Sequence, residues 1–261
     1  MAREKLSFKN GSRQCFQVKE IDLKSFYDKI VDVAKTYSDD SGFIIELRID
    51  YLINKKVDVK DIIDCIAKVK KYLSEELEID RQMIVTLRNF SNGGNCLLNK
   101  KDYASIIETI YEKAKVDAID IDYDFYEENT SFVKKLFVGK KTLIITYNCQ
   151  DKVLTKNEYN ELFKTLLKTP AYVLKVMTKA FSTDDTETLM DTAKEFQPQL
   201  EKHDKVNVII STGKLGIASR VLYEYTNTKI IYLDTYELDM VPAGEINKKE
   251  FDKLRKIMKA K

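Results

Sequence analysis

Apolar positions recur along this chain in two alternating rhythms. Runs such as Phe43-Ile44-Ile45-Glu46-Leu47-Arg48-Ile49-Asp50, Met83-Ile84-Val85-Thr86-Leu87-Arg88 and Leu143-Ile144-Ile145-Thr146-Tyr147-Asn148 are strand-length and rich in β-branched residues. Between such runs, apolar residues fall three and four apart. Val59, Ile62, Ile63, Ile66, Val69 and Leu73 are the clearest set, and that spacing lines one face of a helix. On this pattern strands are expected at 13–18, 43–50, 82–88, 117–122, 141–147, 171–176, 206–211 and 229–233. Helices are expected near 22–37, 58–76, 100–115, 129–138, 155–168, 184–196, 215–225 and 247–259, with Ser182 or Thr183 able to cap the sixth. Repeated βα units imply parallel strands and right-handed crossovers. Eight of them in 261 residues favour an α/β fold of the (β/α)8 barrel class over a doubly wound open sheet. With three prolines and eight glycines there is no linker at which to divide the chain. A single domain over 1–261 is expected, with 1–14 an N-terminal extension.

Polar residues gather at the carboxyl ends of the apolar runs: Arg88, Asp122, Asn148 and Lys175 each end one. A (β/α)8 barrel builds its active site at that end. Side chains alternate along a strand, so Glu46, Arg48 and Asp50 share one face and Leu47, Ile49 and Tyr51 the other. Lys175 shares a face with Ala171 and Val173. An ammonium placed inside must find partners or release its proton, and the neutral amine is the nucleophile for a Schiff base. On spacing alone, Lys175 also reads as a solvent-facing lysine at a strand end. Glu46, Arg48, Asp50, Arg88 and Asp122 likewise read either as a structural ion network or as a site for a small, hydroxylated, anionic ligand. The segment Ser211-Thr212-Gly213-Lys214-Leu215-Gly216-Ile217-Ala218-Ser219-Arg220 follows a strand and opens a helix. Its small residues suit a close backbone approach to a ligand, or simply a turn. It lacks the Walker spacing, and Asn92-Gly93-Gly94 reads as a loop.

Composition narrows the function classes. The 44 basic and 42 acidic residues are interspersed and leave a net charge of +2, which argues against a nucleic-acid or membrane-surface partner. No apolar stretch approaches the roughly 20 residues of a membrane helix, and Met1-Ala2-Arg3-Glu4-Lys5-Leu6 has no signal-like core. Cys15, Cys65, Cys96 and Cys149 are scattered, as suits reduced thiols in a cytoplasmic protein. The sole histidine, His203, lies among charges before a strand and is expected at the surface. Neither a metal site nor a cofactor is expected.

These segments together resemble type I 3-dehydroquinate dehydratase, a Schiff-base lyase of the shikimate pathway with a (β/α)8 fold. Glu46-Leu47-Arg48-Ile49-Asp50 is similar to that family's E-x-R-x-D strand, and Thr86-Leu87-Arg88 with Gly93-Gly94 to its T-x-R loop. Asp120-Ile121-Asp122 resembles its D-x-E strand. Gly213-Lys214-Leu215-Gly216 with Ser219-Arg220 resembles its M-G-x-x-G-x-x-S-R segment, and Pro242-Ala243-Gly244-Glu245 its A-P-G-Q loop. Lys175 falls where the family has its Schiff-base lysine. The resemblance implies that this lysine condenses with the ketone of 3-dehydroquinate and that a histidine then moves the proton and helps water leave. It implies that Arg220 binds the substrate carboxylate with help from Arg88, that Glu46 and Arg48 contact substrate, and that Asp122 orients the histidine. It also implies a homodimer.

The departures fall on the chemistry. The family's S-Y-H-D reads Thr146-Tyr147-Asn148-Cys149, so Asn148 stands in place of the histidine. An amide does not exchange a proton near neutral pH. Asp122 is one methylene shorter than the family's glutamate. Glu245 replaces its glutamine, where a negative charge either repels an anionic ligand or serves as a substitute base. Three readings stand: a dehydratase-like protein with impaired or altered turnover of a small anionic carbonyl substrate; a non-catalytic binding or regulatory descendant; or another Schiff-base lyase of the aldolase type.

Overall fold

The structure is a computed structural model and describes residues 6–8, 11–38, 42–139, 141–236 and 244–259. Among these residues the strands are β1 (Arg13–Val18), β2 (Ile44–Arg48), β3 (Gln82–Thr86), β4 (Ala118–Asp122), β5 (Thr142–Cys149), β6 (Val173–Lys179), β7 (Val206–Thr212) and β8 (Ile230–Leu233). The α-helices are α1 (Leu23–Thr36), α2 (Asp50–Asn54), α3 (Val59–Glu75), α4 (Lys100–Lys113), α5 (Tyr123–Glu128), α6 (Thr130–Leu136), α7 (Lys156–Leu167), α8 (Thr183–Lys202), α9 (Ile217–Val221) and α10 (Lys248–Lys259). Every strand is followed by a helix. The strand order is β7-β6-β5-β4-β3-β2-β1-β8, and β1–β2, β2–β3, β3–β4, β5–β6 and β6–β7 pair in parallel. The chain has the (β/α)8 fold.

Two compact units make up the chain: Met1–Ser7 with Cys15–Leu143, and Phe8–Gln14 with Ile144–Lys261. In the first, Ile44, Ile45 and Leu47 of β2, Val85 of β3 and Ile119 of β4 are fully buried. On α3, Ile62, Ile66 and Val69 are at 0% exposure, as their spacing predicts. In the second, Val173, Leu174 and Val176 of β6, Val208 of β7, Phe163 of α7 and Leu189 and Ala193 of α8 are fully buried, and α8 contacts both β7 and α7. Near-continuous apolar runs are what a parallel strand needs when both its faces are covered.

Helix starts follow local chemistry. Asp22, Asp58 and Asn99 cap α1, α3 and α4 by accepting from backbone N–H groups. Thr155–Glu158 and Ser182–Asp185 form reciprocal capping boxes on α7 and α8. The boundaries depart from expectation in four places. β2 stops at Arg48, and Asp50 opens α2 instead of continuing the strand. The helix expected at 129–138 is α6, and an unexpected short helix, α5, precedes it and ends at Asn129, whose side chain donates to the Phe125 carbonyl. α8 continues through Pro198 to Lys202 because Leu200, at 1% exposure, still packs on the core. The helix expected at 215–225 is a 3-10 turn, Lys214–Gly216, followed by the short α9. His203 ends α8 at the surface, its ring nitrogen Nδ1 2.8 Å from the Gln199 carbonyl.

Lys205, at the start of β7, is half-buried and donates to the carbonyls of Thr169 (2.5 Å) and Ala171 (2.7 Å). Burial lowers its pKa from 10.5 to about 8. The unfolded chain therefore keeps this proton through a window in which the folded chain releases it, so stability gains from this group as pH rises from about 8 to about 10.5. Lys205→Met is expected to flatten that rise. Urea midpoints for wild type and variant at the two ends of the window check it, and an unchanged slope counts against it.

Candidate active site

In the first unit, the charged residues at the strand ends are buried and already answered by one another. Glu46 is at 0% exposure on β2, with Oε1 accepting from Thr86 Oγ1 (2.7 Å) and Oε2 from Gln17 Nε2 (2.5 Å). Arg48 ends the same strand and grips Asp50 through two bonds of 2.8 Å, Nε to Oδ1 and Nη2 to Oδ2. Burial opposes the charge on Arg48, but Asp50 and then Glu46 more than offset it and hold its pKa above the ordinary arginine value. Asp50 Oδ2 also accepts from the Asn95 backbone N–H (2.9 Å), tying α2 to the loop after β3.

Arg88 lies two residues beyond β3 and bridges two carboxylates of β4. Its Nη2 donates to Asp120 (2.8 Å) and its Nη1 to Asp122 (2.5 Å). Asp120 and Asp122 fall on one face of β4 by alternation. Burial acts to lower the Arg88 pKa, but the two carboxylates hold it above its usual value. Asp122 is pushed up by burial against the pull of Arg88, and its second oxygen accepts from the Asn89 backbone N–H (3.0 Å). Gly94 permits this loop: a Cβ there would meet the Arg88 carbonyl oxygen at 1.9 Å. A cleft of about 450 Å³ opens beside Asp122, lined among others by Asn92, Asn99, Tyr103 and Asp124.

In the second unit, Lys175 lies within β6 at 3% exposure, so the solvent-facing alternative does not hold. Its neighbours in register are Thr146 on β5 and Val208 on β7. Its Nζ stands 3.8 Å from the centroid of the Tyr232 ring of β8. Asn148, near the end of β5, accepts through Oδ1 from Gln150 Nε2 (2.5 Å). Gln150 Oε1 in turn accepts from Thr212 Oγ1 of β7 (2.7 Å). This relay turns the Asn148 carbonyl oxygen toward Gln150.

Arg220 lies in α9 at 4% exposure. Its Nη1 donates to the Ser211 carbonyl (3.0 Å), while its buried Nε has no hydrogen-bond partner among the described residues. Burial lowers its pKa, opposed by the charges of Glu245 and Asp234. The small residues around it serve the chain's own packing. A Cβ on Gly216 would meet the Ser211 carbonyl oxygen at 2.3 Å, and Ser219 Oγ accepts from the Ser211 N–H (2.9 Å). Gly244, at φ +90°, lies so close to Gly213 that a Cβ would meet its carbonyl oxygen at 2.2 Å. That contact brings the half-buried Glu245 into the Arg220 environment. Pro242 and Ala243 of the same motif lie outside the described residues.

Gln17, Gln150, Asp234 and Tyr232 carry no signal in the sequence pattern, and Asp120 enters it only as the first residue of the Asp120-Ile121-Asp122 motif. Asp120 was the most accessible, since it shares the Asp122 face. Tyr232, in Ile230-Ile231-Tyr232-Leu233, reads as an ordinary core aromatic.

The chain is thus a (β/α)8 protein with a buried strand lysine and buried arginines. The family model for type I 3-dehydroquinase matches residues 15–260. The chain belongs to the type I 3-dehydroquinase family. Among its relatives, 3-dehydroquinate dehydratase of Streptococcus mutans is 27% identical over 221 residues, which cover 85% of this chain and 89% of that protein. The enzyme of that name from Streptococcus pneumoniae is 27% identical, covering 82% and 87%. Among solved structures, the type I 3-dehydroquinate dehydratase of Clostridium difficile with covalently modified comenic acid has a TM-score of 0.77 at 19% identity, covering 95% of this chain and 92% of that one. 3-Dehydroquinate dehydratase from Geobacillus kaustophilus has a TM-score of 0.80 at 16% identity, covering 95% and 91%.

Removing the charge that holds two buried carboxylates leaves them uncompensated. Arg88→Met is expected to destabilise the fold by about 3–5 kcal/mol, read as a lowered denaturation midpoint. A loss under about 1 kcal/mol would show that Asp120 and Asp122 find other compensation.

Proposed function

We propose that this protein is a 3-dehydroquinate dehydratase-like Schiff-base protein in which Lys175 condenses with 3-dehydroquinate or a related small carboxylated carbonyl compound, and in which dehydration is impaired or altered because Asn148 replaces the family's histidine. The observation that carries the reading is Lys175 itself, an amine at 3% exposure within a parallel strand. Burial excludes the water that would otherwise compete for its nitrogen and hydrolyse an imine. Arg220 supports an anionic ligand. Arg48 and Arg88 are each neutralised by carboxylates, whereas Arg220 keeps a buried Nε without a partner among the described residues. A ligand carboxylate is the group best suited to answer it. The resemblance assigns ligand contacts to Glu46, Arg48 and Arg88 as well, and on that assignment the arginines act from within their ion pairs and Glu46 from within its bonds to Gln17 and Thr86.

After condensation, dehydration requires removal of a proton beside the iminium carbon and departure of a hydroxyl as water. The Asn148 amide neither takes nor gives a proton at neutral pH, and its Oδ1 is engaged by Gln150. Both Asp122 oxygens are engaged by Arg88 and the Asn89 N–H. Glu245 and Lys175 itself remain as candidate bases. The same Asn148 arrangement favours a second reading, a ligand-binding descendant without turnover. The protein is further proposed to act as a cytoplasmic homodimer in the shikimate pathway.

Borohydride added with 3-dehydroquinate is expected to leave a reduced adduct on the Lys175 peptide, found by mass spectrometry and absent from Lys175→Met. No mass increase under saturating ligand removes the covalent reading. A ligand-dependent rise in melting temperature without an adduct would then favour the binder. Asn148→His is expected to raise dehydratase activity by about 10²-fold or more. An unchanged rate would show that the site has diverged beyond that one residue.

A further inference from the structure

Lys175 and Tyr232 come from strands two apart in chain order, the arrangement that places inward side chains in one layer of a (β/α)8 fold. The Lys175 Nζ lies 3.8 Å from the centre of the Tyr232 ring, over its face, with the two residues at 3% and 6% exposure. The face of an aromatic ring carries the negative part of its quadrupole and attracts a cation, most strongly where water is excluded. We propose that the Tyr232 ring face is a catalytic element of the Lys175 Schiff-base chemistry, holding the nitrogen in place and keeping it cationic after it has condensed with a ketone. This rests on the Schiff-base reading above and adds a residue and a role to it.

The balance of the condensation shows where the ring acts. An ammonium and a ketone give an iminium and water: the N–C bond forms, the carbonyl oxygen leaves carrying two of the three ammonium protons, and one proton and the positive charge stay on nitrogen. The ring faces a cation at both ends of this step, so it alters the overall exchange little. Its effect falls on the later choice between iminium and neutral imine. Only the iminium draws electrons strongly enough to acidify the adjacent carbon, and only the iminium is readily reduced by hydride. A ring face beside the nitrogen raises the pH at which the iminium loses its proton.

The test varies the ring's electrons at constant shape. Tyr232→Phe keeps the face and removes the hydroxyl. Tyr232→trifluorophenylalanine keeps the volume of that ring and withdraws the negative charge from its face. Tyr232→Leu removes the ring. The probe is 3-dehydroquinate with cyanoborohydride, read as reduced adduct on the Lys175 peptide across a pH series, with a melting curve for each variant. Adduct yield at alkaline pH is expected to stay within about twofold of wild type in Tyr232→Phe and to fall about tenfold in the fluorinated variant, with the loss of adduct moved to lower pH. Equal yields and pH profiles in the phenylalanine and trifluorophenylalanine variants would overturn the proposal. So would a loss of adduct in Tyr232→Phe alone, which would assign the effect to the hydroxyl. The fluorinated pair decides the matter even where Tyr232→Leu fails to fold. An absent adduct in wild type is a separate result, since it removes the Schiff-base reading itself.

Discussion

An ionised side chain withdrawn from water costs several kcal/mol unless charges, dipoles or an aromatic face replace the solvent it loses. Most of what is distinctive in this chain follows from how that demand is met. Glu46, Asp50, Arg88, Asp120, Asp122, Lys175 and Arg220 are all below 5% exposure. In the first unit opposite charges meet it for the arginines and their aspartates, while Glu46 accepts from Gln17 and Thr86. Arg48 takes Asp50, and Arg88 takes Asp120 and Asp122 together. Such pairs are rigid and directional, and they tie strand ends to the loops that follow, as the Asp50–Asn95 and Asp122–Asn89 bonds do.

The second unit meets it differently. Lys175 has the face of Tyr232, and Arg220 has a backbone carbonyl, two carboxylates at electrostatic range and one buried donor without a partner among the described residues.

On the resemblance, Asn148 stands where the family has a histidine. Its carbonyl oxygen is held by Gln150, which is held in turn by Thr212. The Asn148 side chain is thus set in a defined orientation by Gln150, just past β5, and through it by Thr212 of β7. Asp122, the residue the resemblance links to orienting that histidine, is committed to Arg88 and the Asn89 backbone.

The amino-acid sequence determined the alternation of strands and helices, because periodicities of two and of about 3.6 are local properties of the chain. It also places Asp122 at the end of β4 and Arg88 just past β3, but Lys175, expected at a strand end, lies inside β6, which continues to Lys179. Boundaries that depend on side-chain bonding were not legible in it, such as the break at Asn129 or the opening of α2 at Asp50. Nor was the pairing of charges. Glu46, Arg48 and Asp50 look like one alternating set in the sequence, but the structure gives Glu46 to Gln17 and Thr86 and reserves Asp50 for Arg48. Tyr232 is one aromatic in a run of apolar residues until the fold sets it against a lysine 57 positions earlier. Such contacts join residues distant along the chain, and only tertiary packing, which fixes distances and excludes water, decides which buried charge meets which partner.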